Sequence, residues 1–254
     1  MEETNCANYT TESCGAVRRE GARSGSYNCE MEKRPLLLGH RGARATRGVV
    51  ENTLASFDMC MAHGCDGFEF DVRRSGDGAA VICHDPVWRA SGAGRPGLEV
   101  AGATTAELEG IPQLGEVVER FAGSAYLDIE LKVAGLEDTV VEVIRTHAPE
   151  RGFVVSSFKP GALMRVRHVD AAIRLGLICD TRAQLAIWET LPVAVVIPHH
   201  KLVTRELVLA LHGAGKQVLV WTVNEAAKML EFANWGVDGL ISDETELLVR
   251  TLGQ

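Results

Sequence analysis

Short apolar runs alternate with amphipathic stretches from residue 36 to the end of the chain. Most of these runs are continuous, as in "LLLGH" at 36–40 and "FVVSS" at 153–157. Continuous apolar runs are typical of strands that are buried on both faces. The pattern predicts nine strands, at residues 36–40, 67–72, 79–83, 125–132, 153–157, 173–178, 193–198, 218–223 and 239–242.

The stretches between these runs place apolar residues at helical spacing. Helices are predicted in this way over residues 53–63, 114–121 and 137–147. Thr204 is a predicted N-cap of a further helix that ends at Gly213. Asn224 is a predicted N-cap of the helix that runs to Trp235.

Alternation of strands and helices indicates parallel strands joined by right-handed crossovers. Roughly eight such units favour a single closed (β/α)₈ TIM barrel of the α/β class over an open sheet. One strand is ambiguous, because the segment "RRSGDG" before residues 79–83 is too short to hold a crossover helix. That run is either a hairpin partner of residues 67–72 or a barrel strand reached without a helix.

Two segments lack this patterning. Residues 1–33 are polar and rich in Gly and Ser, so they are a predicted disordered extension in front of a barrel domain at 34–254. We hypothesise that residues 1–30 are dispensable, or that Met31 is the natural start. Residues 85–104 form the longest irregular stretch within the domain, and we expect them to be loops over the barrel mouth.

Composition narrows the range of partners. The formal net charge is -8 and the pI is about 5.5, which argues against general binding to nucleic acid or to anionic membranes. No apolar run approaches the roughly 18 residues of a membrane span. The seven cysteines are odd in number and include no C-x-x-C pair, so neither a disulfide framework nor a zinc site is indicated. A cytoplasmic location is expected.

Polar side chains interrupt the apolar pattern where strands end, which is where the active sites of such barrels lie. Residues two apart in a strand project from the same face, so Glu69 and Asp71 point together, as do Glu130 and Lys132. Charged groups are seldom buried unless they are paired. The full set of such strand-end residues is His40, Arg41, Glu69, Asp71, His84, Asp128, Glu130 and Lys132.

The residue types suggest a cation and a phosphate. Carboxylate oxygens from Glu69, Asp71 and Glu130 are hard ligands, suited to Mg²⁺ or Ca²⁺ rather than zinc. The three carboxylates carry one negative charge more than Arg41 and Lys132 neutralise. A divalent cation would make the net charge of this group positive. Such a pocket could hold a phosphate, and the two histidines could supply an acid and a base near neutral pH.

Eight short motifs occur in an order that resembles the glycerophosphodiester phosphodiesterase family in its compact bacterial form. The resemblance covers about residues 36–252, and the motifs are specific through their order and spacing. They are "GHRG" (39–42), "ENT" (51–53), "FEFDV" (68–72), "HD" (84–85), "IELK" (129–132), "SF" (157–158), "WTVN" (221–224) and "GVDGLISD" (236–243).

The resemblance implies a TIM barrel that binds one divalent cation, Mg²⁺ or Ca²⁺, and hydrolyses small glycerophosphodiesters to glycerol 3-phosphate and an alcohol. One departure is Val50, which stands where the family usually has proline before "ENT". The implied site residues are metal ligands at Glu69, Asp71 and Glu130, an acid/base pair at His40 and His84, phosphate contacts at Arg41 and Lys132, glycerol-side contacts at Phe158 and Trp221, and supporting groups at Glu51 and Asn52.

Other functions stay open at this point. A lysophospholipase D would need an apolar channel or a membrane-facing helix, and residues 86–112 are instead Gly-rich and polar. A non-catalytic barrel would be marked by a lost ligand or histidine, and none is lost. His199 and His200 end another predicted strand and are interpreted as a polar rim. The sequence does not indicate the leaving alcohol, the cation, which histidine is the acid, the choice between internal and water attack, or the oligomeric state.

Overall fold

The computed structural model describes residues 34–89 and 97–253. Its strands are β1 (Leu36–His40), β2 (Gly67–Arg74), β3 (Ala80–Ile82), β4 (Val87–Trp88), β5 (Leu98–Glu99), β6 (Tyr126–Leu131), β7 (Phe153–Ser157), β8 (Leu175–Cys179), β9 (Val195–Pro198), β10 (Gln217–Val220) and β11 (Gly239–Ser242). Its helices are α1 (Leu54–Ala62), α2 (Leu114–Phe121), α3 (Glu137–Thr146), α4 (Pro160–Val169), α5 (Arg182–Leu185), α6 (Arg205–Gly213), α7 (Ala226–Asn234) and α8 (Thr245–Leu252).

Eight of these strands form a closed parallel barrel, in the order β1, β2, β6, β7, β8, β9, β10 and β11. The barrel closes because β1 pairs with both of its flanking strands, Leu38 lying opposite Gly67 of β2 and Leu36 opposite Gly239 of β11. Helices lie between the strands along the chain. The predicted TIM barrel is confirmed.

Strand β3 resolves the ambiguity in the sequence. It pairs with β2 in the antiparallel direction, with Val72 opposite Ile82, so it is a hairpin partner and not a barrel strand. The turn between the two strands closes when the Ser75 N–H donates to the Ala79 carbonyl, and Gly78 adopts the positive φ of 91° that the turn requires. The hairpin delivers the segment that follows β3 to the barrel mouth.

The prediction for residues 85–104 needs correction. The segment is not wholly irregular, because β4 and β5 form a two-stranded antiparallel ribbon and a 3₁₀ turn follows at Val100–Gly102. The ribbon is held by a separate hydrophobic cluster that includes Val100 and Leu108. Residues 90–96, and the predicted extension at 1–33, lie outside the described residues.

Aromatic packing joins the first helix to the barrel. Phe57 of α1 stacks on Phe68 of β2 with ring centroids 4.2 Å apart, and Phe121 of α2 meets Phe68 edge-on at 4.9 Å. All three side chains are buried. Offset and edge-to-face pairs of this kind add to the gain from burying apolar area, so α1 and α2 are fixed against the strand that carries the acidic residues. Among the described residues, no helix has both the length and the apolar content that a bilayer crossing requires.

Of the two predicted N-caps, Thr204 is confirmed and Asn224 is not, and Thr53 is a further N-cap that was not predicted. Thr53 and Thr204 accept hydrogen bonds at the starts of α1 and α6. Asn224 does not cap α7, which begins after Glu225 without a side-chain cap. The reason is that both ends of the Asn224 amide are engaged by the chain just after β11, at Asp243.

Gly67→Ala is expected to destabilise the barrel strongly. A Cβ at position 67 would lie 1.9 Å from the carbonyl oxygen of Tyr126, so two paired barrel strands would have to move apart. Overpacking of this kind costs about 3 kcal/mol or more. We expect the melting temperature, followed by circular dichroism, to fall by roughly 5–10 °C.

Gly213→Ala is the matched control for this prediction. It makes the same chemical change at the end of α6, where a new Cβ would meet no atom within 4 Å. Alanine also restricts the unfolded chain, so this variant should be as stable as the parent or slightly more stable. Equal melting temperatures for the two variants would contradict the close approach of β2 and β6.

Candidate active site

A cavity of about 450 Å³, counting the space open to solvent, lies at the barrel mouth. One side of it is charged and comes from the first half of the barrel, and the other is apolar and comes from the second half. The predicted site residues meet here, except for Glu51, Asn52 and Asp71, which are not among the lining residues. The lining residues are His40, Arg41, Glu69, His84, Asp128, Glu130, Lys132, Phe158, Ile178, Ile197, Trp221 and Ile241.

Three carboxylates form a compact cluster at this mouth. Glu69 and Asp71 lie on β2, and Asp71 is the register partner of Glu130 on β6. One oxygen of each residue lies within 4.8 Å of the others, and all three residues are buried. The Glu69 Oε1 atom is buried without a hydrogen-bond donor among the described residues. A buried carboxylate oxygen that lacks a donor fits a cation ligand, so the cluster can hold a divalent cation.

The pKa shifts of the three carboxyl groups indicate which of them lack enough positive charge nearby. Burial, then the neighbouring Asp71 and Glu130, raise the pKa of Glu69 well above its usual value. Burial and Asp71 raise the pKa of Glu130 to about 7. Burial also acts on Asp71, but Lys132 and Arg41 outweigh it and hold that pKa below its usual value. The two glutamates therefore carry the uncompensated charge that a cation would neutralise.

Two cations flank the carboxylates, Arg41 being buried and Lys132 half-buried. The Lys132 ammonium lies 2.7 Å from Glu130 Oε1 and 2.9 Å from Asp71 Oδ1. Arg41 Nη1 lies 2.8 Å from Glu51 Oε1, and its Nε lies 3.2 Å from Asp71 Oδ2. Glu51, which the sequence predicts only as a supporting group, thus pairs with Arg41. Both cations also line the cavity, where they can meet an anion.

Two non-glycine residues in the left-handed region shape the loop after β1. Arg41 has φ 56° and Asn52 has φ 57°, a conformation that costs energy for residues with a Cβ. The loop is held because the Asn52 N–H donates to the Arg41 carbonyl at 3.0 Å. The Arg41 N–H donates to Glu69 Oε2 at 3.0 Å, and Asn52 Nδ2 donates to Asp71 Oδ2 at 2.7 Å. The strained loop thereby orients two of the three carboxylates.

The two predicted histidines face the same cavity but differ in their surroundings. His40 Nδ1 lies 2.7 Å from Asp243 Oδ1, and its Nε2 lies 3.8 Å from Glu69 Oε2. His84 Nδ1 lies 2.7 Å from Asp85 Oδ1. The His84 side chain is 33% exposed, against 11% for His40. Partial burial, with Lys132 and Arg41 nearby, lowers the pKa of His84.

Aromatic rings form part of the opposite wall. Phe158 and Trp221 meet edge-to-face with centroids 5.5 Å apart, and Trp221 Nε1 donates to the Ile197 carbonyl at 3.0 Å. The Lys132 ammonium lies 5.8 Å from the Phe158 ring centre. His199 packs edge-to-face against Trp221 at 5.2 Å, outside the set that lines the cavity. Each ring of this wall therefore contacts at least one neighbouring ring.

Three residues near the site were not predicted to act in it. Asp243 contacts His40, Arg44 contacts both Glu51 and Asp243, and Asn224 contacts Asp243. The signal for Asp243 was its position directly after the apolar strand "GLIS", the same position that Arg41 has after β1. No pattern could indicate Arg44, whose role depends on how the loop after β1 folds back.

Comparison with known proteins agrees with this architecture. The sequence model described as "Glycerophosphoryl diester phosphodiesterase family" matches residues 40–127 and 118–247. The chain belongs to this family.

A curated glycerophosphodiester phosphodiesterase from Caldanaerobacter subterraneus is 28% identical over 236 residues, covering 85% of this chain and 96% of the relative. An Oleispira antarctica phosphodiesterase, solved in complex with the product sn-glycerol-3-phosphate, superposes with a TM-score of 0.76 at 28% identity, covering 87% of this chain and 98% of that one. A glycerophosphodiester phosphodiesterase from Thermotoga maritima has a TM-score of 0.74 at 25% identity, covering 86% and 98%.

Mg²⁺ or Ca²⁺ is expected to raise the melting temperature more at pH 8 than at pH 5.5. A carboxyl whose pKa is raised by folding destabilises the native state increasingly as pH rises from its ordinary value near 4.5 through its folded value, which is about 7 for Glu130. A cation removes that penalty, whereas protons compete with it at the lower pH. At a free cation concentration of about 100 times Kd, the melting temperature should rise by roughly 5–10 °C.

Glu130→Gln should reduce this cation-induced shift, because one charged ligand is lost. Glu142→Gln on the exposed side of α3 makes the same chemical change away from the cluster and should preserve the shift. Differential scanning fluorimetry in EDTA and in each cation measures the effect. An equal shift in both variants would show that the cation binds elsewhere.

Proposed function

We propose that this chain hydrolyses glycerophosphodiesters to glycerol 3-phosphate and an alcohol. The observation that carries the proposal is one cavity in which a buried cluster of three carboxylates faces two histidines and two cations. The assignment is supported by membership of the glycerophosphoryl diester phosphodiesterase family and by a related phosphodiesterase that holds sn-glycerol-3-phosphate.

The residues on the charged side of the cavity are proposed to bind the phosphate. We propose Glu69, Asp71 and Glu130 as ligands of one divalent cation, Mg²⁺ or Ca²⁺. When bound, that cation supplies positive charge for a phosphodiester and lowers the pKa of a coordinated hydroxyl. Arg41 and Lys132 then face the phosphate oxygens, the guanidinium through a two-point contact and the ammonium as a point charge. Glu51 and Asn52 support them by holding Arg41 and Asp71 in place.

Proton transfer falls to the two histidines. We propose that one of His40 and His84 removes the proton from the 2-hydroxyl of the substrate's glycerol. The hydroxyl oxygen forms a bond to phosphorus, the bond to the leaving alcohol breaks, and the other histidine protonates that alcohol. The resulting cyclic phosphate is opened by water with the two roles reversed. Phe158 and Trp221 form the wall on the glycerol side, where rings can pack on its C–H groups.

The proposal also covers the catalytic domain, the class of substrate and the location of the protein. The domain that carries the activity spans residues 34–254, and the substrate is a small molecule rather than a nucleic acid. A reducing, cytoplasmic location is supported by the cysteines within the described residues, which are buried free thiols at Cys60, Cys65, Cys83 and Cys179.

Release of glycerol 3-phosphate from glycerophosphocholine should require a divalent cation. We expect release with Mg²⁺ or Ca²⁺ and none in EDTA, measured by a coupled assay for glycerol 3-phosphate. His84→Ala should lower kcat by about 10²–10⁴-fold, the usual contribution of a general acid or base. Glu69→Ala should abolish the cation-dependent rate.

His212→Ala is the matched control for the histidine substitution. His212 is partly exposed on α6 and pairs with Asp238, away from the cavity. Its removal should leave kcat within about twofold of the parent. If the folded parent chain released no glycerol 3-phosphate but cleaved lysophosphatidylcholine, the lysophospholipase D function would replace this proposal. Failure on both substrates would favour a non-catalytic barrel.

A substrate that lacks the 2-hydroxyl should not be cleaved at a significant rate. In the proposed route that oxygen attacks phosphorus, so the corresponding propanediol phosphodiester has no internal nucleophile. We expect at least a 10³-fold loss of kcat at saturating substrate, while competition with glycerophosphocholine shows that the analogue still binds. Undiminished cleavage would mean that water attacks phosphorus directly.

A further inference from the structure

We propose that Asp243 is a positioning residue that holds the His40 imidazole with its Nδ1–H toward β11 and its Nε2 lone pair toward the reacting groups. The inference rests on the proposed function, because it concerns how one of the two histidines is made ready. It goes beyond that function by assigning a role to Asp243 and to Asn224.

The contact between the two side chains is short and partly buried. His40 Nδ1 lies 2.7 Å from Asp243 Oδ1, and the exposed fractions of the two side chains are 11% and 20%. A carboxylate can only accept a hydrogen bond, so Nδ1 must carry the proton. In the neutral ring Nε2 is then the free acceptor. That nitrogen lies on the cluster side, 3.8 Å from Glu69 Oε2.

Asp243 is itself held in one orientation. Asn224 Nδ2 donates to Asp243 Oδ2 at 2.7 Å, and Asn224 Oδ1 accepts from the Asp243 N–H at 2.9 Å. The same amide oxygen accepts from Ser242 Oγ at 3.1 Å. One asparagine therefore fixes both the backbone and the side chain of Asp243. This use of its amide explains why Asn224 leaves α7 without a cap.

The ionised form of the Asp243 carboxylate is also stabilised by its neighbours. Arg44 Nη1 lies 3.3 Å from Asp243 Oδ1, the same oxygen that His40 contacts, so a second positive group stabilises the ionised carboxylate. Although burial opposes ionisation, the hydrogen bond from His40 lowers the pKa of Asp243 to about 2. An ionised Asp243 remains an acceptor for the His40 Nδ1–H.

The second histidine lacks an equivalent support. His84 pairs with Asp85, the next residue in the chain, whose side chain is 65% exposed. Within residues 34–89 and 97–253, no other side chain is hydrogen-bonded to the Asp85 carboxylate. An exposed pair contributes less to orientation than a buried and braced one. Loss of Asp243 should therefore affect the rate more than loss of Asp85.

The test compares Asp243→Asn with a matched control, Asp238→Asn. Asp238 precedes β11 and also pairs with a histidine, since its Oδ2 lies 2.9 Å from His212 Nε2, but that pair lies outside the cavity lining. The full-length chain is used throughout. Kcat and KM for glycerophosphocholine, the melting temperature and long-range ¹H–¹⁵N histidine spectra are recorded for each variant, with His40→Asn used to assign the His40 signals.

In the parent chain at a pH where the ring is neutral, His40 should show the Nδ1–H tautomer. Asp243→Asn should lose that tautomer preference and lower kcat by at least ~10²-fold, with KM changed by less than about threefold. Asp238→Asn should keep the parental kcat. In the His40→Asn background, Asp243→Asn should cause no further loss, because a positioning residue acts only through the group it positions.

Three results would overturn the proposal. They are an Nε2–H tautomer in the parent, a loss in kcat below about threefold in Asp243→Asn, and a loss of equal size with and without His40. Failure of the proposed function is distinguishable, since it appears as a folded parent that releases no glycerol 3-phosphate. In that case the spectra still decide whether Asp243 sets the His40 tautomer.

Discussion

The structure depends on placing excess negative charge in a buried position at the barrel mouth. Glu69, Asp71 and Glu130 come together because β2 and β6 are neighbours in register, with Asp71 directly opposite Glu130. Burial and then mutual repulsion oppose the ionisation of these carboxylates, and the raised pKa of both glutamates expresses that cost. Lys132 and Arg41 offset only part of it. A divalent cation held by the cluster would neutralise the remainder.

The framework around this cluster is organised to tolerate that cost. The aromatic pair Phe57–Phe68 fixes β2 from behind, on the face opposite the carboxylates. On the open side, the left-handed conformations of Arg41 and Asn52 turn the loop so that one backbone N–H and one side-chain amide reach the carboxylates. Strain in the loop and repulsion in the cluster are thus opposed by the same few hydrogen bonds, which favours a preorganised site over one assembled on binding.

The sequence predicted the barrel well because buried parallel strands have an unmistakable apolar pattern. It predicted which residues meet at the mouth because strand ends converge there in any such barrel. It could not place β3, since the choice between hairpin and barrel strand depends on pairing and not on composition. The prediction that Asn224 caps α7 was wrong. An asparagine side chain can serve either as an N-cap or in a tertiary hydrogen bond, and here it bonds Asp243. It missed Asp243 and Arg44, whose contacts join segments about 200 residues apart.

The contacts that sequence reasoning missed extend the Arg41–Glu51 pair into one continuous network. Arg41 pairs with Glu51 at 2.8 Å, Glu51 with Arg44 at 2.5 Å, Arg44 with Asp243 at 3.3 Å, and Asp243 with His40 at 2.7 Å. The charges alternate from Arg41 through Glu51 and Arg44 to Asp243, so each contact joins groups of opposite sign. Its two ends are Arg41, which is proposed to contact the phosphate, and His40, which is proposed to transfer a proton. Energies within such a network are not additive, so binding and proton transfer share the same supports.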